Sequence, residues 1–202
     1  MPIPITFVGG SGGHFVCHLL NAAFTNNQST VSLSKNGDAH NSQLGFCIGG
    51  GIFDDGTSEI LAYANSNEKR NKFVAMHCSD FEFLRTSFQK MIVITYAKQN
   101  IEEIATVFAN KWRRKNETEH NHTKEKEGAM LAHISVSSIF TDTLLSSERV
   151  MNLSWDNLFR GDVNEVVLSL STFTQIPITN FNIPNLIYWR KLTNDGLTNC
   201  EK

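Results

Sequence analysis

The sequence predicts an α/β fold in which a short parallel sheet is covered by helices on both faces. Short apolar runs rich in β-branched residues alternate with segments of helical periodicity along the 202 residues. The run at Met91–Tyr96 is the clearest strand, because it is continuous and apolar, as is typical of a strand buried on both faces. A glycine-rich loop at 9–13 joins the first strand to the first helix, as expected for a βα unit.

The other elements follow from apolar spacing and from capping residues. We expect further strands at Ile3–Val8, Leu44–Ile48, Phe73–His77 and Val150–Leu153. We expect helices after the glycine loop, at Phe81–Phe88, after Asn100, after Asp162, and at Ile183–Leu192. Glu103 and Glu165 stand three residues after Asn100 and Asp162, which is the spacing of a capping box.

Composition excludes several classes of protein. The formal charge of −2 and the 41% of apolar residues are ordinary for a globular chain and do not indicate a nucleic-acid-binding protein. The longest aliphatic run, Met91–Ile94, is too short to span a membrane. The four cysteines are scattered without a CxxC motif, so we expect a reduced, cytoplasmic protein, in the host cell if the protein is viral.

The glycine loop after the first strand is the strongest chemical signal in the chain. Glycines let several backbone N–H groups turn toward one point, and the positive end of the following helix adds to them, so the loop suits a phosphate. The loop lacks the Lys of a Walker A motif, and its glycines are out of register with the dinucleotide-binding pattern. A tight strand-to-helix turn without a ligand is the alternative interpretation.

Two further segments lie at the ends of predicted strands. His77 ends the strand that begins at Phe73, and Tyr96 to Asn100 follow the strand at Met91. Ligands of parallel sheets bind beyond the carboxyl ends of the strands, where the strand order reverses. These segments and the glycine loop therefore form the candidate site. A core histidine and an exposed lysine are the alternatives for His77 and Lys98.

The histidines do not indicate a metal site. His14 and His18 are four residues apart in a helical segment, a spacing that can bind zinc. No further cluster of ligands accompanies them in the sequence. We therefore expect one loop histidine, one packed histidine and no metal.

Three of these segments together resemble the sulfotransferases that use 3′-phosphoadenosine 5′-phosphosulfate (PAPS). The loop Gly10–His14 is similar to that family's Lys-Ser-Gly-Thr-Thr loop around the 5′-phosphosulfate, with Ser11 and Gly12 matching and Gly10 at the Lys position. The segment ending at His77 is similar to the one that carries the family's general base. Lys98 and Thr106 fall where the family has an Arg and a Ser that bind the 3′-phosphate.

The resemblance extends in order and spacing over residues 3 to 190 and is greatest to short, divergent members from viral and marine microbial genomes. Asn152–Phe159 is similar to a strand followed by a Tyr-Glu-Asp-Leu segment, and Trp189–Leu192 to an Arg-Lys-Gly cofactor motif. The resemblance implies a P-loop-like three-layer sandwich with a short central parallel sheet. It implies one sulfotransferase-like domain at 1–202, with polar excursions at about 25–72 and 113–129.

The implied activity is transfer of a sulfuryl group from PAPS to a hydroxyl acceptor on a sugar or small metabolite. His77 is the expected general base. No nucleic-acid or membrane partner is expected, and the oligomeric state stays open. The resemblance assigns the cofactor to Gly10, Ser11, Gly12, Gly13, His14, Lys98, Thr106, Arg190 and Lys191.

Two other functions stay open at this point. A non-catalytic binding module with a P-loop fold, such as a viral structural or assembly component, would fit the missing loop Lys and the long polar excursions. A nucleotide kinase or hydrolase would share the fold and the loop but would need Mg²⁺ and an acidic residue at a strand end. The candidate strands end instead at Tyr96 and Trp155.

Overall fold

A computed structural model gives the fold of part of the chain. It describes residues 2–7, 11–26, 47–48, 72–76, 81–105 and 147–198. Most of the two predicted polar excursions, at 25–72 and 113–129, lies outside the described residues. The prediction of one domain over the whole chain therefore stays a prediction.

The described strands form one five-stranded parallel sheet with the order β2-β3-β1-β4-β5. Each apolar run expected to be a strand contributes one, and the shortest lies at an edge. The strands are β1 (Ile3–Thr6), β2 (Cys47–Ile48), β3 (Phe73–Met76), β4 (Met91–Thr95) and β5 (Val150–Ser154). All five residues of β4 are buried, as its continuous apolar sequence predicts.

In the described part of the chain, helices follow β1, β3 and β4, and three more follow β5. The longer ones are α1 (Gly13–Phe24), α2 (Phe81–Ser87), α3 (Trp155–Arg160), α4 (Val163–Thr174) and α5 (Ile183–Thr198). Two 3₁₀ turns lie at Lys98–Asn100 and Ile178–Asn180, and the chain is α-helical again at 101–105. The predicted α/β fold with a parallel sheet is thus confirmed.

A buried asparagine fixes α1 against the sheet. The side chain of Asn21 is 1% exposed, and it pairs with both backbone groups of Phe73 in β3. Its Oδ1 accepts from the Phe73 N–H at 2.9 Å, and its Nδ2 donates to the Phe73 carbonyl at 2.9 Å. Because both polar atoms of the amide are satisfied, its burial carries little cost and sets the position of the helix along the strand.

The C-terminal helix α5 packs beside α1 through aromatic rings. The rings of Phe15 and Trp189 are stacked, with centroids 4.2 Å apart and planes at 2°. At the other end of α1, the Asn180 side chain donates to the carbonyl of Ala23. The first turn of α1 therefore contacts α5, and the end of α1 contacts the 3₁₀ turn that precedes α5. None of the described helices is both long enough and apolar enough to cross a membrane.

Candidate anion site at the carboxyl ends of β1 and β4

The strand order places the candidate site between two adjacent strands. From β1 the chain runs through α1 to β2 at one edge of the sheet, and from β4 it runs to β5 at the other edge. The strand order therefore reverses between β1 and β4, and in sheets of this kind ligands bind at the carboxyl ends of such strands. The glycine loop follows β1, and the turn that contains Lys98 follows β4. The sequence-based location is thus compatible with the observed topology.

The residue before α1, in the glycine loop, has a left-handed backbone conformation. Gly12 is the N-cap, with φ 88° and ψ 7°, and its carbonyl accepts the first helical bond from Val16 at 3.1 Å. Glycine adopts this conformation without the steric cost that other residues meet. Gly12 has no side chain with which to cap the helix, and the first turn of α1 contains no acidic residue.

Three other helix starts in the described part of the chain have side-chain caps. Ser154 accepts from the Asn157 N–H at the start of α3. Asp162 accepts from two N–H groups, those of Asn164 and Glu165, at the start of α4. Asn182 accepts from the Asn185 N–H at the start of α5. The start of α1 differs from these three because its N-cap residue is a glycine, which has no side-chain oxygen to accept from the helix amides.

Aromatic packing also explains the two glycines at this loop. A Cβ atom on Gly12 would lie 2.7 and 2.8 Å from two ring carbons of Trp189. A Cβ atom on Gly13 would collide with the ring of Phe7. Both glycines are therefore required by close packing, whether or not a ligand binds, and this observation gives weight to the alternative interpretation of the loop as a tight turn.

A row of four buried aromatic rings extends from the first turn of α1 to the first turn of α3. Each ring contacts the next one in the row, and in order the rings are Phe15, Trp189, Phe159 and Trp155. Successive ring centroids are 4.2, 4.7 and 4.6 Å apart. This aromatic row links α5 to the start of α1 and to α3.

The remaining loop residues are only partly described. Ser11 is fully buried, and His14 is half-buried with its ring edge-to-face against Phe7 at 5.1 Å. Gly10, the position of the family's loop Lys, lies outside the described residues. The structure thus places Ser11, Gly12, Gly13 and His14 together at the start of α1.

The other predicted residues are described less completely. His77 and Thr106 lie outside the described residues. The backbone of Lys98 forms the turn after β4, and its side chain lies outside the described part. Lys191 is exposed on α5. Its neighbour Arg190 has a clear set of contacts.

The Arg190 side chain closes the C-terminal end of α3. Its Nε donates to the Leu158 carbonyl at 2.6 Å, its Nη1 to the Gly161 carbonyl at 2.6 Å and its Nη2 to the Asn157 carbonyl at 2.8 Å. Burial lowers the pKa of Arg190, and the nearby charge of Asp162 offsets part of that effect. These bonds satisfy carbonyls that a helix end leaves unpaired, so the Arg190 guanidinium is engaged within the fold.

A polar network beside the turn after β4 was missed by the sequence analysis. The Asn100 Nδ2 donates to Asp156 Oδ1 at 3.1 Å, and the same oxygen accepts from Arg160 Nη1 at 3.1 Å. Arg160 also pairs with Glu103. The capping box expected at Asn100 and Glu103 is therefore wrong, since Asn100 Oδ1 accepts from the Ala97 N–H and Glu103 binds Arg160. In the sequence, the only signal of this network is the i,i+4 spacing of Asp156 and Arg160, which favours an ion pair on a helix.

Known proteins give no independent guide to this site. Comparison of the chain with protein-family models, with curated proteins and with solved structures finds no match. Within the described ranges, no three side chains of His, Cys, Asp or Glu converge as metal ligands would. The assignment of a function therefore depends on the sequence, on the start of α1 and on the turn after β4.

Proposed function

We propose that the chain binds a phosphorylated nucleotide at the start of α1, and that this nucleotide is PAPS. The observation that carries the proposal is the glycine N-cap of α1, which has no side-chain cap and no acidic residue in its first turn. Such a helix start attracts an anion, because its N–H groups and the positive end of the helix dipole act at one point.

The neighbouring turn supplies the place for a second phosphate. β1 and β4 are hydrogen-bonded neighbours, with Thr6 opposite Val93. Neighbouring strands are about 4.8 Å apart, so the segments that follow them begin within reach of one nucleotide. In this proposal the start of α1 binds the 5′-phosphosulfate, and the turn with Lys98 binds the 3′-phosphate.

The donors in these two segments are of the kind that a phosphate needs. Backbone amides at the start of α1, the hydroxyl of Ser11 and the ammonium of Lys98 are hydrogen-bond donors or cations. Thr106 adds a hydroxyl, and His14 and Lys191 add further donors. With Gly10 at the Lys position and Arg190 bonded to α3, the positive charge in this proposal comes mainly from Lys98.

PAPS supplies an activated sulfuryl group when it is bound. His77 is the general base of the proposal, and its imidazole takes the proton of the acceptor hydroxyl. The amides of the loop and Lys98 stabilise the negative charge that accumulates on the leaving phosphate. The acceptor is a hydroxyl of a sugar or small metabolite. The finer fold implied by the proposal is the P-loop-like three-layer sandwich.

A binding module without turnover is the second candidate. It is favoured by the three carbonyl bonds of Arg190, which occupy the guanidinium that the family resemblance assigned to the cofactor. Substitution of His77 by Ala separates the two candidates. Transfer chemistry is abolished by this change if the chain is an enzyme, while nucleotide binding is retained in both cases.

Ligand-dependent thermal unfolding tests the proposal. Adenosine 3′,5′-bisphosphate at 100 times its Kd stabilises the native state by about 2.7 kcal/mol, so the Tm of the chain rises by several degrees. Adenosine is the matched control, because it lacks both phosphates, and ATP with Mg²⁺ tests the kinase alternative. A Tm that millimolar bisphosphate leaves unchanged would contradict the proposal.

A further inference from the structure

The turn after β4 is closed by a single buried side chain. Asn100 is 2% exposed, and its Oδ1 accepts from the Ala97 N–H at 3.0 Å. Its own N–H donates to the Ala97 carbonyl at 2.9 Å. Residues 97 and 100 are therefore joined twice, and the backbone of Lys98 is held between them.

The same side chain ties the turn to α3. The Asn100 Nδ2 donates to Asp156 Oδ1, which lies 56 residues further along the chain. Asp156 is positioned in turn by Arg160, one helical turn away, and Arg160 pairs with Glu103. Glu103 belongs to the helical segment 101–105 that continues from the turn, so the network returns to the segment where it began.

Burial makes Asn100 the dominant member of this network. The Arg160, Asp156 and Glu103 side chains are 51%, 39% and 38% exposed, and ion pairs at such exposure contribute little. Asn100 is enclosed, and its amide is satisfied on both its oxygen and its nitrogen. Loss of the amide would leave the Ala97 N–H and Asp156 without this partner.

We infer that Asn100 is a positioning residue that fixes the backbone of Lys98 for binding of the 3′-phosphate. This inference rests on the proposed function, because Lys98 is its phosphate cation. A cation on a flexible stem contributes most when its backbone is held in place before the ligand arrives. Asn100 itself bonds Ala97 and Asp156, so it acts through Lys98 rather than on the nucleotide.

Titration calorimetry with adenosine 3′,5′-bisphosphate tests the inference on the full chain. We expect Asn100→Ala to weaken binding by about tenfold, the cost of losing hydrogen bonds that order the turn. Lys98→Ala should weaken binding similarly, and Asn100→Ala should add little in the Lys98→Ala background. This non-additivity is the readout that a general loss of stability would not produce.

A variant with the side chains of residues 100 and 156 exchanged distinguishes loss of this hydrogen bond from a general folding defect. The double variant Asn100→Asp with Asp156→Asn restores the hydrogen bond with donor and acceptor reversed, and it keeps the net charge. We expect its affinity for the bisphosphate to return to within about threefold of the wild-type value, while Asn100→Asp alone binds weakly. Asn164→Asp, on an exposed position of α4, is the control for the added charge.

The outcomes separate this inference from the proposed function. Wild-type chain that does not bind the bisphosphate would overturn the proposed function, and the inference with it. Wild-type binding with unchanged affinity in Asn100→Ala would overturn only the inference. Additive losses in the Asn100→Ala, Lys98→Ala double variant, or a failure of the exchanged pair to recover affinity, would also overturn it.

Discussion

α1 and α4 are helices of equal length that begin in different ways. Each has 12 residues. At α4 the carboxylate of Asp162 accepts from two backbone N–H groups, and Glu165 lies in the first turn. At α1 the N-cap is a glycine in the left-handed conformation, which has no side chain to cap the helix. The start of α4 is capped by its own N-cap side chain, whereas the N-cap residue of α1 has no side chain, and it is there that we propose an anion binds.

The two helices also differ in what stabilises them. Ten of the 12 residues of α1 are buried, whereas α4 buries three. A missing N-cap costs about 1 kcal/mol, an amount that the burial of one large apolar side chain can offset. α1 is therefore held by packing and does not need its cap. A helix start without a side-chain cap on its N-cap residue is therefore tolerated where the helix body is deeply buried.

The largest expected effect comes from giving the start of α1 a side chain. Gly12→Ala should destabilise the chain by about 3 kcal/mol, because the left-handed conformation and the Trp189 ring both oppose a Cβ atom. Urea unfolding measures the change, with Ser169→Ala on the exposed part of α4 as the control. A loss below about 1 kcal/mol would show that Trp189 does not pack on Gly12.

A second expected effect is a pH dependence of stability that comes from the buried phenol of Tyr96, directly after β4. Burial raises the pKa of Tyr96 to about 12. The folded chain keeps this proton to a higher pH than the unfolded chain, so stability falls as the pH rises from 10 to about 12. The expected loss is about 1.4 kcal/mol per pH unit in that window.

Unfolding of the wild-type chain and of Tyr96→Phe across this pH window isolates the effect. The difference in stability between them should change with pH above 10 and stay constant below it. Tyr188→Phe is the control, because that ring is 53% exposed on α5. A pH-independent difference for Tyr96→Phe would contradict the burial of its phenol.

The smallest effect comes from opening the start of α4. Asp162→Ala should destabilise the chain by about 1 kcal/mol through loss of the cap. It should leave the Tm shift with adenosine 3′,5′-bisphosphate unchanged, because α4 does not directly follow β1 or β4, where the strand order reverses. If Asp162→Ala created a new bisphosphate site at α4, an uncapped helix start would be sufficient to bind the ligand. The position of α1 in the strand order would then contribute nothing to binding.

Sequence patterns predicted the elements that depend on neighbouring residues. The apolar runs at β3, β4 and β5 indicated buried strands, and Asp162 signalled the start of α4. The parallel arrangement followed from the alternation of strands and helices. These features were predictable because their causes lie within a few residues of each other.

Features that join distant segments were not predictable. The bonds of Arg190 to α3 need α5 to lie beside α3, and they join residues 29 to 33 positions apart. The contact of Trp189 with Gly12 likewise depends on how α5 packs against α1. From the sequence, Arg190 and Gly12 were both assigned to cofactor binding. The structure adds that Arg190 bonds the end of α3 and that Gly12 packs against Trp189.

Backbone NMR during titration with adenosine 3′,5′-bisphosphate tests the central claim most directly. We expect the amide resonances of Gly13, His14 and Phe15 to shift progressively with ligand, while those of Asn164 and Glu165, already bonded to Asp162, stay in place. Unshifted amides at 13–15 under saturating bisphosphate would contradict the claim that the start of α1 binds phosphate.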